Sequence, residues 1–403
     1  KAESRGLGDV YKRQGEYELG RLWLSVFRSS VKEYEDPLTT TYLEDLIYRI
    51  SETSEVRDRR YEFVIIDDES INAFAAPGGI IGVNKGMFLK TDFESEFASV
   101  MCHELAHLSQ RHFARSQSQM TALGNALLIL GSVAVAAASG SPEGIYLGPA
   151  LIQQLSINYT RSNEREADRI GFNNLVRAGF DPKGMSSMFQ KLQKSRGNND
   201  EEYSYLMSHP LPKERITDAR LRESEIEKEN EYRDSLDFYL IKARSIVSSS
   251  SNVRDLIKGY QNILSSNLDQ KSIIAAEYGL VLSYKKLKNF PVAFKALRNL
   301  LDQLPDNLIF QTTLMELHLA EENNFEAVSV GETLLGLNQD NYAISKILAR
   351  AYLQNNQPKD AEGILIELSR NKPSDPSVWY ELAEAQGLSG NILGLHRSRA
   401  EFF

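Results

Sequence analysis

The spacing of apolar residues predicts a mostly α-helical protein with a small β-sheet. Between residues 15 and 55 apolar side chains recur at helical intervals. β-Branched and aromatic residues at 61–66 predict a strand. Within 71–84, apolar residues flank Pro77-Gly78-Gly79, which predicts two short strands joined by a turn. Helical spacing dominates from Phe93 onwards.

The last third of the chain repeats every 34 residues. The positions that repeat at this step are leucines, aromatic or histidine residues, and alanines: Leu280, Leu314, Leu348 and Leu382; Tyr284, His318 and Tyr352; Ala293, Ala327 and Ala361. This pattern is typical of tetratricopeptide repeats, in which helix pairs stack into an α-solenoid with a concave surface that binds peptides or proteins. The densely charged stretch 215–234 is interpreted as a solvated helix that links this array to the preceding domain.

Composition narrows the class of protein. The 403 residues suggest two or three domains, and 42% apolar with 25% charged residues is ordinary for a globular protein. A net charge of −9 argues against nucleic acid as a partner, because a phosphate backbone selects a basic surface. A single cysteine, Cys102, excludes an intrachain disulfide.

Residues 116–142 carry no charged side chain, and 122–138 are nearly all small or apolar. Two interpretations remain open: a buried helix, or a helix that lies on a membrane surface. The segment is too weakly apolar to predict a membrane span.

The strongest chemical signal is His103-Glu104-Leu105-Ala106-His107, within a segment of helical apolar spacing. At about 100° per residue, two histidines four positions apart share one helical face and can bind one Zn²⁺. Glu104 lies beside that face, where it can take a proton from the attacking water and act as the general base. One zinc ion per chain and a peptidase activity are therefore predicted.

A catalytic zinc needs a third protein ligand. A third histidine six residues after His107, with a glycine between, is excluded because position 113 is Phe, and His112 is interpreted as an ordinary histidine on the helix surface. We assign Glu164 as the third ligand. Asp168, one helical turn further, is predicted to accept the free N–H of a ligating histidine.

His209 stands in a segment stiffened by Pro210 and Pro212. Two roles remain open for its side chain: it stabilises the oxyanion of a tetrahedral intermediate, or it binds the metal and excludes the catalytic water.

These motifs, together with the segment 72–79 and His209-Pro-Leu-Pro, resemble the HtpX and CAAX-prenyl-protease superfamily of zinc peptidases. The repeat tail is similar to the periplasmic branch of that superfamily. The resemblance implies a zincin-type α+β domain with His103, His107 and Glu164 as zinc ligands and Glu104 as base. It further implies that His209 ligates zinc in a resting state and acts as a regulatory switch. Residues 71–83 would form the edge strand to which a peptide substrate adds its backbone, and we assign Asn72, Ala73, Phe74, Ala75 and Arg215 to substrate binding.

The resemblance also implies a biological role. The protein would degrade misfolded or stalled outer-membrane β-barrel proteins, and assist their assembly, in the periplasm of a Gram-negative bacterium. The repeats would contact these clients or the β-barrel assembly machinery, and 122–138 would provide a peripheral membrane contact. Two features depart from the superfamily: the repeat region lacks the cysteines of similar proteins, and no long transmembrane segment is found.

The predicted organisation is a segment 1–14 that is foreign or disordered, a zinc metallopeptidase domain at 15–232 and a tetratricopeptide domain at 233–403, cut within its last repeat. The alternative function is a client-binding chaperone or assembly factor whose zinc site is largely silent. A cytosolic peptidase is a weaker third alternative.

Overall fold

The computed structural model describes residues 2–113, 115, 159–195, 205–226, 232, 234–266 and 268–402, without the side chains of 2–13, 195 and 207. The chain folds into two compact units. One comprises residues 1–35 and 43–235, and the other comprises residues 36–42 and 236–403.

A three-stranded sheet forms where the apolar pattern predicts it. The strands are β1 (Glu62–Ile66), β2 (Ala73–Ala76) and β3 (Ile80–Asn84). Their order is β1-β3-β2, with β3 parallel to β1 and antiparallel to β2. The turn between β2 and β3 places Gly78 at a φ of 81° and Gly79 at 79°, a conformation that glycine adopts at little cost.

Strand β2 lies at the edge of this sheet. The N–H of Asn84 donates to the carbonyl of Asn72 at 2.9 Å. Because the hydrogen-bonding direction alternates along an antiparallel pair, Ala73 and Ala75 direct their backbone N–H and C=O groups away from β3. No strand within the described residues pairs with that outer edge.

The helices that precede the repeats support the sheet and the candidate site. They are α1 (Ala2–Ser30), α2 (Pro37–Glu52), α3 (Gly86–Lys90), α4 (Glu94–Ser109), α5 (Arg161–Arg177), α6 (Lys183–Ser195), α7 (Tyr205–Ser208) and α8 (Lys213–Glu225).

Helix α1 begins at Ala2, so residues 2–14, predicted to be foreign or disordered, belong to a helix in this structure. The stretch 215–234 is not a fully solvated helix, because Arg215, Ile216 and Ala219 form a buried face of α8. Residues 122–138 lie outside the described residues. Among the helices that the structure describes, none combines the length and apolar character needed to cross a membrane.

One face of the sheet packs against α1. The ring of Phe74 lies directly over Gly82, where a Cβ atom would come within 2.1 Å of it. Trp23 and Phe27 of α1 pack edge-on against the same ring, at centroid distances of 5.9 and 5.3 Å. The side chain of Phe74 is therefore part of an apolar core.

Helix α4 packs against β2 and against α5. The two helices approach closely at Gly171, where an added Cβ atom would lie 3.0 Å from the backbone nitrogen of His103. Ala106, Ala167 and Ile170 fill the adjacent part of the interface. This contact brings the first turn of α5 next to the histidine pair of α4.

The second unit consists largely of the predicted helix pairs. They are α9 (Leu236–Ser249), α10 (Val253–Leu264), α11 (Gln270–Lys286), α12 (Phe290–Gln303), α13 (Leu308–Ala320), α14 (Asn324–Leu337), α15 (Tyr342–Gln354), α16 (Pro358–Asn371), α17 (Pro376–Ser389) and α18 (Ile392–Phe402). Asn307, Asn341 and Asp375 recur at the repeat interval, and each side chain caps the N-terminus of the helix that follows it. This arrangement confirms the predicted repeat architecture.

A buried ionic network stabilises the second unit. Arg244 donates to the carboxylates of Asp36 (2.7 Å) and Glu316 (2.8 Å), and Lys285 also contacts Glu316 at 2.8 Å. Burial alone would raise the pKa of Glu316, but the charges of Arg244 and Lys285 outweigh it and lower this pKa to about 2. The ionised form of Glu316 therefore stabilises the fold.

We expect Glu316→Gln to lower the free energy of unfolding by about 3 kcal/mol at pH 7, because Arg244 loses one of its buried carboxylate partners. The native pKa is lower than the ordinary value of 4.5, so this stabilisation is complete above 4.5 and is lost as the pH falls towards 2. Urea unfolding at pH 7 and pH 3 measures the effect, and the difference should shrink by about half at pH 3. The exposed Glu367, changed to Gln, is the control. A difference that stays constant with pH would contradict the assignment.

Candidate metal centre

The two histidines of the His-Glu-x-x-His motif lie side by side on α4. Both are 2% exposed, and their Nε2 atoms are 2.9 Å apart. Their positions one helical turn apart follow directly from their spacing in the sequence.

Glu164 and His209 complete a cluster around this pair. The carboxylate of Glu164, from the first turn of α5, lies 3.6 Å from His103 Nε2 and 3.4 Å from His107 Nε2. His209 presents Nδ1 at 3.0 Å from Glu164 Oε1 and at 3.4 Å from His103 Nε2. All four side chains are buried. The structure thus brings together residues that are far apart in the sequence.

The donor set suits a metal ion. One potential ligand atom from each of the four residues lies within 4.8 Å of the others. Ligand atoms about 2.0–2.1 Å from a tetrahedral zinc are separated by roughly 3.3 Å, and the distances in the cluster scatter around that value. Burial alone would lower the pKa of His103, but the adjacent carboxylates of Asp168 and Glu164 outweigh it and raise this pKa to about 9. The surroundings therefore favour a positive charge at this point, which a bound cation would supply.

Asp168 and Arg215 hold the cluster from behind. Asp168 Oδ1 lies 3.0 Å from Nδ1 of His103, on the side of the ring away from the cluster. Arg215 donates to both oxygens of Asp168 at 2.6 and 2.7 Å, and to Glu164 Oε2 at 2.6 Å. It also donates to the carbonyl of Pro210 at 2.8 Å.

Arg215, which the sequence analysis assigns to substrate binding, is buried among carboxylates in this structure. Its side chain is 2% exposed, and its donors are engaged by Asp168, Glu164 and Pro210. Its hydrogen bonds orient the carboxylates of Glu164 and Asp168. The sequence could not reveal this contact, because Arg215 follows Glu164 only after 50 intervening residues and its partners are set by the tertiary fold.

Glu104 faces the interior beside the cluster. It is 1% exposed, and burial raises the pKa of its carboxyl. Its Oε1 lies 3.4 Å from Nε2 of His209 and 3.3 Å from the hydroxyl of Tyr205. A carboxylate with a raised pKa is suited to accept a proton near neutral pH and to release it again.

Two tyrosines that the sequence did not indicate pack on the histidines. Tyr159 stacks on His107 with ring centroids 3.8 Å apart, and Tyr205 stacks on His209 at 4.4 Å. The N–H of Tyr205 donates to the carbonyl of Ile71 at 3.2 Å, just before β2. The spacing of Tyr205 four residues before His209 was the one signal that could have indicated it.

His112 is not a surface residue. It is 0% exposed, and its Nδ1 lies 2.8 Å from Nδ1 of His107. Helix α4 ends at Ser109, and Arg111 adopts a φ of 51°. The chain therefore turns and brings the imidazole of His112 to that of His107. The prediction failed because it continued a regular helix through this turn.

The predicted substrate-binding strand lies near the cluster, but the side chain of Phe74 packs against α1. Ala75 and His107 line the same cavity of about 640 Å³, together with Tyr159 and Pro77. The backbone edge of Ala73 and Ala75 is directed outward, and Asn72 precedes it. The side chain of Phe74 packs under α1, on a face of the sheet rather than along that edge.

Comparison with known proteins agrees with both halves of the chain. The sequence model of peptidase family M48 matches residues 37–223, and a tetratricopeptide repeat model matches residues 318–385. The chain is 32% identical over 388 residues to the beta-barrel assembly-enhancing protease of Escherichia coli (strain K12), covering 93% of this chain and 77% of that protein. A protein of the same name from Yersinia pestis is 31% identical over 379 residues, covering 93% and 78%.

Similarity extends to a eukaryotic protein. The mitochondrial metalloendopeptidase OMA1 of Schizosaccharomyces pombe is 29% identical over 202 residues, which covers 49% of this chain and 58% of that protein.

Replacing Arg215 by lysine should weaken metal binding, because an ammonium group cannot donate to Glu164 and both oxygens of Asp168 in the same planar arrangement. We expect the affinity for Zn²⁺ to fall about 10-fold or more, as is typical when a partner of a metal ligand is changed. Competition with a chromogenic chelator measures this affinity. Arg220→Lys, at an exposed position of the same helix, is the matched control. Equal affinities of Arg215→Lys and the unmodified protein would contradict the orienting role.

Proposed function

Because the chain belongs to peptidase family M48 and is a metalloendopeptidase, we propose that it is a zinc enzyme that hydrolyses misfolded or stalled outer-membrane β-barrel proteins. His103, His107 and Glu164 are the proposed zinc ligands. The observation that carries this proposal is the buried convergence of these side chains with His209 around one point. Residues 15–232 are the proposed peptidase domain, and residues 233–403 are the proposed tetratricopeptide domain.

The chemistry follows from the residues around that point. A zinc ion bound there would polarise the scissile carbonyl and acidify a water molecule. Glu104 takes a proton from the attacking water and later passes it to the leaving amine. Arg215 and Asp168 keep Glu164 and His103 in place during this exchange.

His209 is the proposed gate. With Nδ1 in the cluster it occupies the position that the water needs, and its Nε2 lies 3.4 Å from Glu104. With a metal ion bound by His103, His107 and Glu164, the same side chain would occupy the remaining ligand position and stand against the general base. Catalysis requires His209 to leave, and the segment from Tyr205 to Pro212 would move with it.

The outer edge of β2 is the proposed substrate site. No strand in the described part of the chain pairs with the outward N–H and C=O groups of Ala73 and Ala75. A peptide in extended conformation can pair with them, which adds a strand to the sheet. This mode of recognition uses the backbone, so it suits unfolded clients of varied sequence. Asn72 lies at the start of this edge, and the cavity beside His107 can accept a client side chain.

The biological setting is proposed from the relatives. Proteins named beta-barrel assembly-enhancing protease are similar to this chain over most of its length. We therefore propose a periplasmic location in a Gram-negative bacterium. In this proposal the repeats contact clients or the β-barrel assembly machinery, and 122–138 touches a membrane surface.

A client-binding chaperone is the second candidate. The observation that favours it is the position of His209, which lies within the cluster and 3.4 Å from Glu104, where it would exclude a catalytic water. In that case the repeats and β2 would hold clients, and hydrolysis would be rare.

Replacing Glu104 by glutamine should leave Zn²⁺ binding intact and lower hydrolysis by about 10²–10⁴-fold, because the amide cannot accept the proton from water. Bound zinc is measured by elemental analysis, and hydrolysis by release of peptides from a casein-type substrate. Glu94→Gln is unsuitable as a control, because the carboxylate of Glu94 accepts a hydrogen bond from the hydroxyl of Ser235. The exposed Glu52, which lies outside both the cluster and the cavity beside His107, offers a control carboxylate. Cleavage at the normal rate by the Glu104 variant would exclude its role as base.

Replacing His209 by alanine should raise hydrolysis at saturating Zn²⁺, by about tenfold if one molecule in ten is open at rest. The double variant Glu104→Gln/His209→Ala should be inactive, which controls for contaminating proteases. If neither the unmodified protein nor the His209 variant cleaves, while both still bind an unfolded client, the chaperone function is favoured over the peptidase.

A further inference from the structure

The two histidines of α4 differ in how their rings are held. Nδ1 of His103 faces the carboxylate of Asp168 at 3.0 Å. Nδ1 of His107 faces another imidazole, that of His112, at 2.8 Å. His112 in turn places Nε2 at 3.0 Å from Oε2 of Glu166. His107 is thus connected to a carboxylate through an intervening histidine.

The direction of these hydrogen bonds is determined by the carboxylate. Glu166 as a carboxylate can only accept, so Nε2 of His112 carries a hydrogen and donates it. A neutral His112 then offers a lone pair at Nδ1. The short contact between the two Nδ1 atoms requires one hydrogen, which must therefore belong to His107. With its hydrogen on Nδ1, His107 directs a lone pair from Nε2 into the metal cluster.

Two local features of the fold bring His107, His112 and Glu166 into contact. His112 follows His107 by five positions, which in a continuous helix would put them on different faces. The left-handed conformation of Arg111, with a φ of 51°, turns the chain so that His112 reaches His107. Glu166 follows Glu164 by two positions on α5, so one helix supplies both the cluster and this supporting contact.

The chain of contacts also leads from the interior to the surface. His112 is fully buried, whereas the side chain of Glu166 is 33% exposed and also contacts Arg115 at 3.1 Å. Arg115 keeps the carboxylate oriented towards His112. Tyr159 stacks on the face of the His107 ring at 3.8 Å, so the ring is fixed both in plane and out of plane.

We propose that His112 and Glu166 are positioning residues that hold His107 in the tautomer and orientation required for metal binding. This inference rests on the proposed role of His107 as a metal ligand. It extends that role because it assigns a task to a histidine that does not itself reach the cluster. Neither residue contacts the proposed substrate edge, so their effect should appear in metal binding before catalysis.

The test compares the affinity for Zn²⁺ alone, by chelator competition, in a series of variants. His112→Leu removes the acceptor and should lower the affinity about 10–100-fold. His112→Asn places a carbonyl oxygen near the position of Nδ1 and should recover part of the loss. Glu166→Gln should cause a smaller loss of affinity. An amide can donate as well as accept, so it no longer determines the direction of the two hydrogen bonds. His396→Leu, at an exposed position of the second unit, is the control and should leave the affinity unchanged.

A second readout reports the tautomer directly. The chain has six histidines, so ¹⁵N-histidine labelling gives few side-chain signals. In the zinc-loaded protein, His107 should carry its hydrogen on Nδ1 and His112 on Nε2. His112 carrying its hydrogen on Nδ1 would overturn the inference, whatever the affinities. Partial unfolding of His112→Leu would be detected by circular dichroism, and the Asn and Gln variants then decide.

The outcomes distinguish this inference from the proposed function. Failure of the unmodified protein to bind Zn²⁺ would overturn the proposed function and this inference with it. Normal Zn²⁺ binding by the unmodified protein and equally tight binding by His112→Leu would overturn the inference alone.

Discussion

The candidate site depends on how closely α4 and α5 approach each other. The histidine pair belongs to one helix and Glu164 to the other, so the cluster exists only if their backbones nearly touch. Gly171 permits this, because any larger residue would place a Cβ atom 3.0 Å from the backbone nitrogen of His103. Alanines at 106 and 167 keep the rest of the interface narrow. A wider interface would move Glu164 away from His103 and His107. No rearrangement of side chains would then bring the three residues back within binding distance of one metal ion.

The same closeness concentrates negative charge inside the protein. Glu104, Glu164 and Asp168 are all buried, and Arg215 is the buried cation that contacts two of them. With the histidines neutral, as metal ligands are, three ionised carboxylates and one guanidinium leave a formal charge of −2. Burying such a charge without compensation is strongly unfavourable. A divalent cation would neutralise it, which is a physical reason for this cluster to bind a metal and for its stability to depend on one.

The local parts of this arrangement could be predicted from the sequence, and the contacts that depend on the tertiary fold could not. Regular spacing of residue types along the sequence predicts the strands, the helix with His103 and His107, and the 34-residue repeat. Glu164 and Asp168 were selected because they share a helical face. The contacts of Arg215 could not be predicted, because nothing in its sequence neighbourhood indicates burial between carboxylates. His112 was misjudged because a single left-handed residue, Arg111, ends the helical period that the prediction assumed.

The proposed gate and the proposed substrate edge share one hydrogen bond. The alternation along β2 that directs the groups of Ala73 and Ala75 outward also directs the carbonyl of Ile71 outward, where it accepts the N–H of Tyr205. Tyr205 stacks on His209, so the gating segment already occupies the first position of the edge. On the proposed function, an extended client that pairs along β2 as far as Ile71 must displace Tyr205 from that carbonyl. Loss of this contact would loosen His209, so that binding of an unfolded backbone and opening of the metal site would become one event.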